Sequence, residues 1–209
     1  MQNVATKLIC LIFLSIGIGM GDSPAQSTTK PLAKIDAFTS LNITSSTGQK
    51  IDPLRPSSQE TRGMVYVFTL SDCPIANAYS PEISRISKQY NQENFDFYLI
   101  HTDPGTTRES AGKHAKEYGL DLNVCVDTRH ELVKLLKAES VPEAFIMTPN
   151  RQVVYRGRID DRNTAYGKRR AKPSSTDLRD ALDAIIQGKP VPVPVTEVIG
   201  CYVPPLPEK

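Results

Sequence analysis

"MVYVFTLSDCPIANAYSPEISRI", residues 64–86, decides how the rest of the chain is read. Its first seven residues are almost continuously apolar, β-branched or aromatic, the pattern of a central strand buried on both faces. After Cys73, residues Ile75, Tyr79, Ile83, Ile86 and Tyr90 recur at spacings of four, four, three and four, which is one face of a helix. Pro74 suits the first turn of that helix, where its missing N–H costs nothing. Cys73 therefore stands where a buried strand hands over to a helix. Such a thiol has four roles open to it: nucleophile, half of a distant disulfide, metal ligand or small core residue. The positive end of the helix dipole and the free N–H groups favour its thiolate, while the neighbouring Asp72 opposes it.

Outward from this stretch, strands and helices alternate. "FDFYLIHT" (95–102) reads as a second central strand, and "TTRESAGKHAKEYG" (106–119) carries a helix that Gly119 stops. "LNVCVD" (122–127) is a short strand and "TRHELVKLLKAE" (128–139) a short helix. "EAFIMT" (143–148) and "QVVYRGR" (152–158) flank a turn at Pro149 and Asn150, so they form an antiparallel hairpin. "SSTDLRDALDAIIQG" (174–188) is a closing helix with Ser and Thr at its start and Gly188 at its end. Upstream, the alternation in "AFTSLNI" (37–43) predicts a first strand. A helix between two buried strands implies a parallel crossover, and the terminal hairpin and helix complete an α/β fold with a mixed central sheet flanked by helices. Ligands in such sheets bind outside the carboxyl ends of the strands, where Cys73 lies.

The 209 residues, with 39% hydrophobic content, suit one core plus tails. With 25 basic and 23 acidic residues there is no global pull toward nucleic acid, and no nucleic-acid motif is present. Lys7 precedes an apolar run from Leu8 to Met20, and "SPA" (23–25) follows, so residues 1–25 read as a secretory signal peptide. The run is too short for the roughly 20 residues of a bilayer span. The organisation expected is therefore a signal peptide at 1–25, a flexible leader at 26–34, one domain at 35–188 and a proline-rich extended tail at 189–209. Localisation is expected to be periplasmic or extracellular, with no membrane span once the signal is cleaved.

Export permits disulfides, and the mature chain keeps Cys73, Cys125 and Cys201, so at most one internal pair can form. Cys125 lies within a short apolar strand and reads as core. Cys201 sits in "EVIGCYVP" (197–204), an apolar island in the tail, and the tail can reach roughly 60 Å when extended. It can pair with Cys73, remain structural or link two chains. His101 ends a central strand, facing the crevice or capping the strand end, whereas His114 and His130 fall on helices and are expected to be solvated. "RGRIDDRNTAYGKRRAK" (156–172) concentrates charge of both signs and reads as a solvated loop or a docking surface for an acidic partner.

"CPIANAYSPEISRI" resembles the active-site helix of thioredoxins, with Cys73 in the nucleophile position and Pro81 matching the proline that kinks that helix. "SVPEAFIM" (140–147) resembles the cis-proline loop, with Val141 before Pro142 and a strand after it. Over about residues 35–188 the chain resembles the thioredoxin-like superfamily, most of all exported redoxin domains of the alkyl hydroperoxide reductase and thiol-specific antioxidant group. Two departures matter. Ala76 replaces the second cysteine of a C-x-x-C motif, and Leu70 replaces the hydroxyl residue that peroxiredoxins carry three positions before their cysteine.

The resemblance implies a thiol-dependent oxidoreductase without a cofactor or metal site. Cys73 attacks a disulfide or a peroxide, and Cys201 or a partner's thiol releases it. Ser71, Asp72, Pro74, Val141 and a cis Pro142 are the implied substrate contacts. The implied partners are the disulfide or peroxide substrate and an external thiol reductant or small redox protein. The alternative is a non-catalytic binding module, for a docking partner or a metal, that keeps the fold and uses Cys73 only structurally.

Overall fold

The computed structural model describes residues 30–208. The signal-peptide reading and the first four leader residues lie outside the described residues. In chain order the elements are β1 (Ala33–Lys34), β2 (Ile43–Ser45), β3 (Lys50–Ile51), β4 (Gly63–Thr69), α1 (Pro74–Asn91), β5 (Phe95–His101), α2 (Arg108–Glu117) and β6 (Asn123–Val126). Then follow α3 (Glu131–Leu136), β7 (Ser140–Val141), β8 (Glu143–Met147), β9 (Gln152–Gly157), β10 (Asn163–Ala165), β11 (Lys168–Arg169), α4 (Asp177–Ile186) and β12 (Cys201–Tyr202).

One eight-stranded sheet has the order β1-β9-β8-β4-β5-β6-β2-β3. Its centre, β4-β5-β6, is parallel, and β8 and β9 add an antiparallel hairpin on the other side of β4. This is the mixed sheet expected. Every residue of β4 is buried, and its side chains alternate. Val65 and Val67 face one core with Tyr79, Ile83, Ile86 and Tyr90 of α1 and Leu178, Leu182 and Ile185 of α4. Met64, Tyr66 and Phe68 face a second core with Leu132, Val133 and Leu136 of α3. Each large apolar side chain so buried is worth about 1.5–3 kcal/mol, and the two cores hold the carboxyl end of β4 in place.

Two expectations are corrected at the amino end. "AFTSLNI" is not a strand: the Asp36 carboxylate accepts the Phe38 N–H at 2.7 Å and the Asp52 carboxylate accepts the Leu41 N–H at 3.4 Å, bending the segment into turns. Phe38 is 96% exposed, so the apparent alternation reflects no buried face. The strand begins only at Ile43. The last leader residues are paired, with Ala33 opposite Val153 and Lys34 opposite Gln152. Among the described residues, no helix is long and apolar enough to cross a membrane.

The 156–172 segment is more ordered than a solvated loop. Arg158 pairs with buried Asp177, Arg162 with buried Asp160, and Arg170 with Asp161, while Lys168 and Arg169 remain exposed on the small β10-β11 hairpin. Tyr79 of α1 donates its hydroxyl to Asp160 at 2.7 Å and thereby ties this segment to α1.

Candidate active site

Cys73 is the N-cap of α1, in extended conformation, and its Sγ accepts the Ala76 N–H at 3.4 Å. The sulfur therefore meets one N–H donor of the first turn, at the positive end of the helix dipole, which favours negative charge on it. Its residue is 1% exposed, so only atoms that enter the crevice reach it. The Val141–Pro142 peptide bond is cis, as the sequence predicts. The Val141 carbonyl oxygen lies 3.7 Å from Cys73 Sγ.

The tail closes this crevice. Cys201 is joined to Cys73 by a disulfide that spans 128 residues of sequence with Cα atoms 6.3 Å apart. β12 pairs antiparallel with β7, placing Cys201 opposite Val141 and Tyr202 opposite Ser140. The Val203 N–H continues the ladder to the Glu139 carbonyl at 3.0 Å. Gly200 makes the approach possible, because a Cβ there would collide with the Val141 carbonyl. The tail thus lies as an added strand along the edge that precedes the cis-proline. The structure brings Cys73, Cys201, Val141 and Pro142 together. Ser71, Asp72 and Pro74 are exposed at the rim.

Behind the rim is a polar network that sequence reasoning missed. The Asn77 amide donates to the Ser71 carbonyl at 2.8 Å, and His114 Nε2 lies 2.9 Å from Asn77 Oδ1. His101 Nδ1 lies 3.4 Å from Ser71 Oγ, and the two imidazoles pack edge to face with centroids 5.0 Å apart. His101 is fully buried, and its basicity falls to a pKa of about 4 through desolvation first and the neighbouring His114 second. Desolvation also lowers His114, against the opposing pull of Glu117. The expected solvated His114 and His130 are both 5% exposed. His130 is drawn in by a 2.7 Å contact between Nε2 and the Thr102 carbonyl.

Glu143 was also missed, although a lone acid opening the apolar run "EAFIM" is a readable signal. It is buried, accepts the Glu139 and Ser140 N–H groups at 2.9 and 3.3 Å, and pairs with Arg156 at 2.7 Å. It therefore folds the cis-proline loop around its own carboxylate. Cys125 is the free cysteine among the described residues, fully buried in β6, with its thiol pushed up to about 12 by desolvation.

Comparison with known structures gives the same fold. An uncharacterised conserved protein from Geobacillus kaustophilus superposes with a TM-score of 0.69 at 24% identity, covering 82% of this chain and 91% of that one. A hypothetical protein from Sinorhizobium meliloti 1021 gives 0.69 at 20% identity, covering 85% and 97%. A Neisseria meningitidis protein provisionally described as a thioredoxin gives 0.54 at 15% identity, covering 71% and 89%. No curated protein matches the sequence. The AhpC/TSA family profile matches residues 36–156, a span that holds β4, Cys73 and the cis-proline loop but stops short of Cys201. Since that match takes in more than half of the chain, the protein belongs to the AhpC/TSA family.

Proposed function

We propose that the protein is an exported thiol-disulfide oxidoreductase in which Cys73 attacks and Cys201 resolves. The observation that carries this reading is the Cys73–Cys201 disulfide at a helix N-terminus beside the cis-proline. Starting from the dithiol, the Cys73 thiolate attacks one sulfur of a substrate disulfide, forming a mixed disulfide and expelling the first substrate thiol. The Cys201 thiolate then attacks Cys73 Sγ, releases the second thiol and leaves the disulfide seen here. An external dithiol, or a small redox protein carrying one, returns two electrons and two protons. Val141, Pro142 and the rim residues Ser71, Asp72 and Pro74 form the contact surface for the substrate. Disulfide exchange is preferred to peroxide reduction because Leu70, buried and apolar, stands where a peroxide-binding hydroxyl is needed.

One observation favours a rival reading. Cys73 is almost wholly buried, so the disulfide can act as a permanent staple of a binding module. Trapping decides between them. With a small aromatic disulfide as substrate, Cys201→Ser is expected to accumulate a mixed disulfide at Cys73 and to stall after one turnover. Cys73→Ser is expected to fall to background turnover, with any adduct confined to the freed Cys201. Equal, negligible adduct formation by wild type and Cys201→Ser after full reduction would establish the staple. Faster consumption of hydrogen peroxide than of the disulfide would transfer the assignment to a peroxidase.

A further inference from the structure

We infer that Thr196, seated in a socket left by Gly157, is a positioning residue that holds Cys201 within reach of Cys73 after the disulfide opens. The tail touches the body at Val191, which is buried, at Thr196, and at Gly200–Val203, where the Tyr166 hydroxyl donates to the Gly200 carbonyl and the ladder already described begins. The Thr196 contact lies five residues before Cys201 and involves no sulfur. The Arg156 N–H donates to the Pro194 carbonyl at 2.9 Å, and the Thr196 N–H donates to the Arg156 carbonyl at 3.1 Å. Thr196 Oγ1 accepts the Arg158 N–H at 3.0 Å and shares a 3.1 Å hydrogen bond with the Tyr155 hydroxyl. Gly157 has φ +152°, and a Cβ there would collide with Thr196 Oγ1 and come within 2.7 Å of its carbonyl oxygen and 2.9 Å of its nitrogen. The space that Thr196 fills exists because residue 157 has no side chain.

None of these contacts involves a sulfur atom, so opening the disulfide removes none of them directly. With Thr196 fixed and the Gly200–Val203 contacts open, Cys201 hangs on a tether of five Cα steps, at most about 18 Å long. Glu197 and Ile199 of that tether border a cavity of about 350 Å³, which gives it room to move. Without Thr196 the next tail anchor before the Gly200–Val203 stretch is buried Val191, ten steps from Cys201. Effective concentration falls roughly as the −3/2 power of tether length, so doubling the tether lowers the local concentration of Cys201 about threefold. Loss of orientation adds to that. Thr196 acts through Cys201 and touches neither sulfur.

This inference deepens the proposed function, because it takes Cys201 as the thiol that resolves Cys73. Its test needs no turnover. The full chain is equilibrated in graded ratios of reduced and oxidised dithiothreitol, which passes two electrons and two protons to the Cys73–Cys201 bond and closes to its own cyclic disulfide. The disulfide fraction is read by alkylation and mass mapping. Thr196→Val and Gly157→Ala are each expected to lower the equilibrium constant for closure at least threefold, about 14 mV for a two-electron couple. Thr196→Ser, which keeps the hydroxyl, is expected to match wild type. A folded Thr196→Val chain with an unchanged constant would overturn the clamp. Because either variant can misfold, amide exchange at Thr196 in reduced wild type is the second measurement. Protection within tenfold of the oxidised protein supports the anchor, and free exchange on reduction overturns it. A chain that is clamped by these measures yet forms no mixed disulfide would refute the function and leave the clamp standing.

Discussion

Ser71 links two groups of opposite character: on one side the loop that delivers Cys73, on the other the imidazole of His101, held neutral by burial. Burial strips the charged form of His101 of its hydration, and His114 beside it repels that charge, which is why its pKa falls to about 4. Unfolded, the same side chain titrates near 6.5. The unfolded chain therefore binds more protons between these values, and stability rises with pH across that window. Above about pH 6.5 the contribution is fully present, and it is lost as pH falls toward 4. The shift corresponds to roughly 3 kcal/mol at 1.36 kcal/mol per unit. Urea unfolding between pH 7.5 and 4.5 should show this slope, and His101→Gln should flatten it. An unchanged slope in that variant would place the acid sensitivity elsewhere, with His114 the next group to replace. The burial of these histidines was not legible in sequence. A histidine on a polar helix looks solvated until the packing of α2 against β5 and β6 turns that face inward.

At the scale of elements, the short β7 edge is built by its neighbour. Glu143, the first residue of β8, turns its carboxylate back to gather the Glu139 and Ser140 amides, and Arg156 of β9 neutralises it. Removing the carboxylate leaves two N–H groups and one guanidinium without their partner, and breaking such a buried pair costs about 3 kcal/mol or more. Arg156 retains Glu139 as a second partner at 3.5 Å, so the lower end is expected. Glu143→Ala should lose about 3 kcal/mol in urea unfolding and speed amide exchange at Ser140. A loss below 1 kcal/mol would show that backbone pairing alone holds the edge. The central elements were readable because their signals are local: the apolar run of β4, the helical period of α1 and the Val-Pro before β8 each lie within a few residues. The 37–43 segment misled because an Asp two residues from a turn competes with a strand pattern, and only the structure shows the Asp winning. Thr196 and Gly157 carried no signal at all. Their complementarity joins positions 39 residues apart, and neither belongs to a motif.

For the whole molecule, the disulfide and the Thr196 anchor act on different states of the chain. The disulfide closes a loop of 128 residues, and the chain-entropy estimate for a loop that long is about 5 kcal/mol, exerted by restricting the unfolded ensemble. How much of it reaches the measured stability depends on the folded, reduced protein. If the tail came free on reduction, the native state would gain entropy of its own and offset part of the loss. A tail still pinned at Thr196 gains little, so nearly the full penalty should appear. Urea unfolding of the wild-type chain with and without dithiothreitol should therefore differ by about 4–5 kcal/mol, and Thr196→Val should narrow that gap by relaxing its reduced native state. A wild-type difference under 2 kcal/mol would mean that reduction releases the tail, leaving the crevice at Cys73 open and Cys201 unguided.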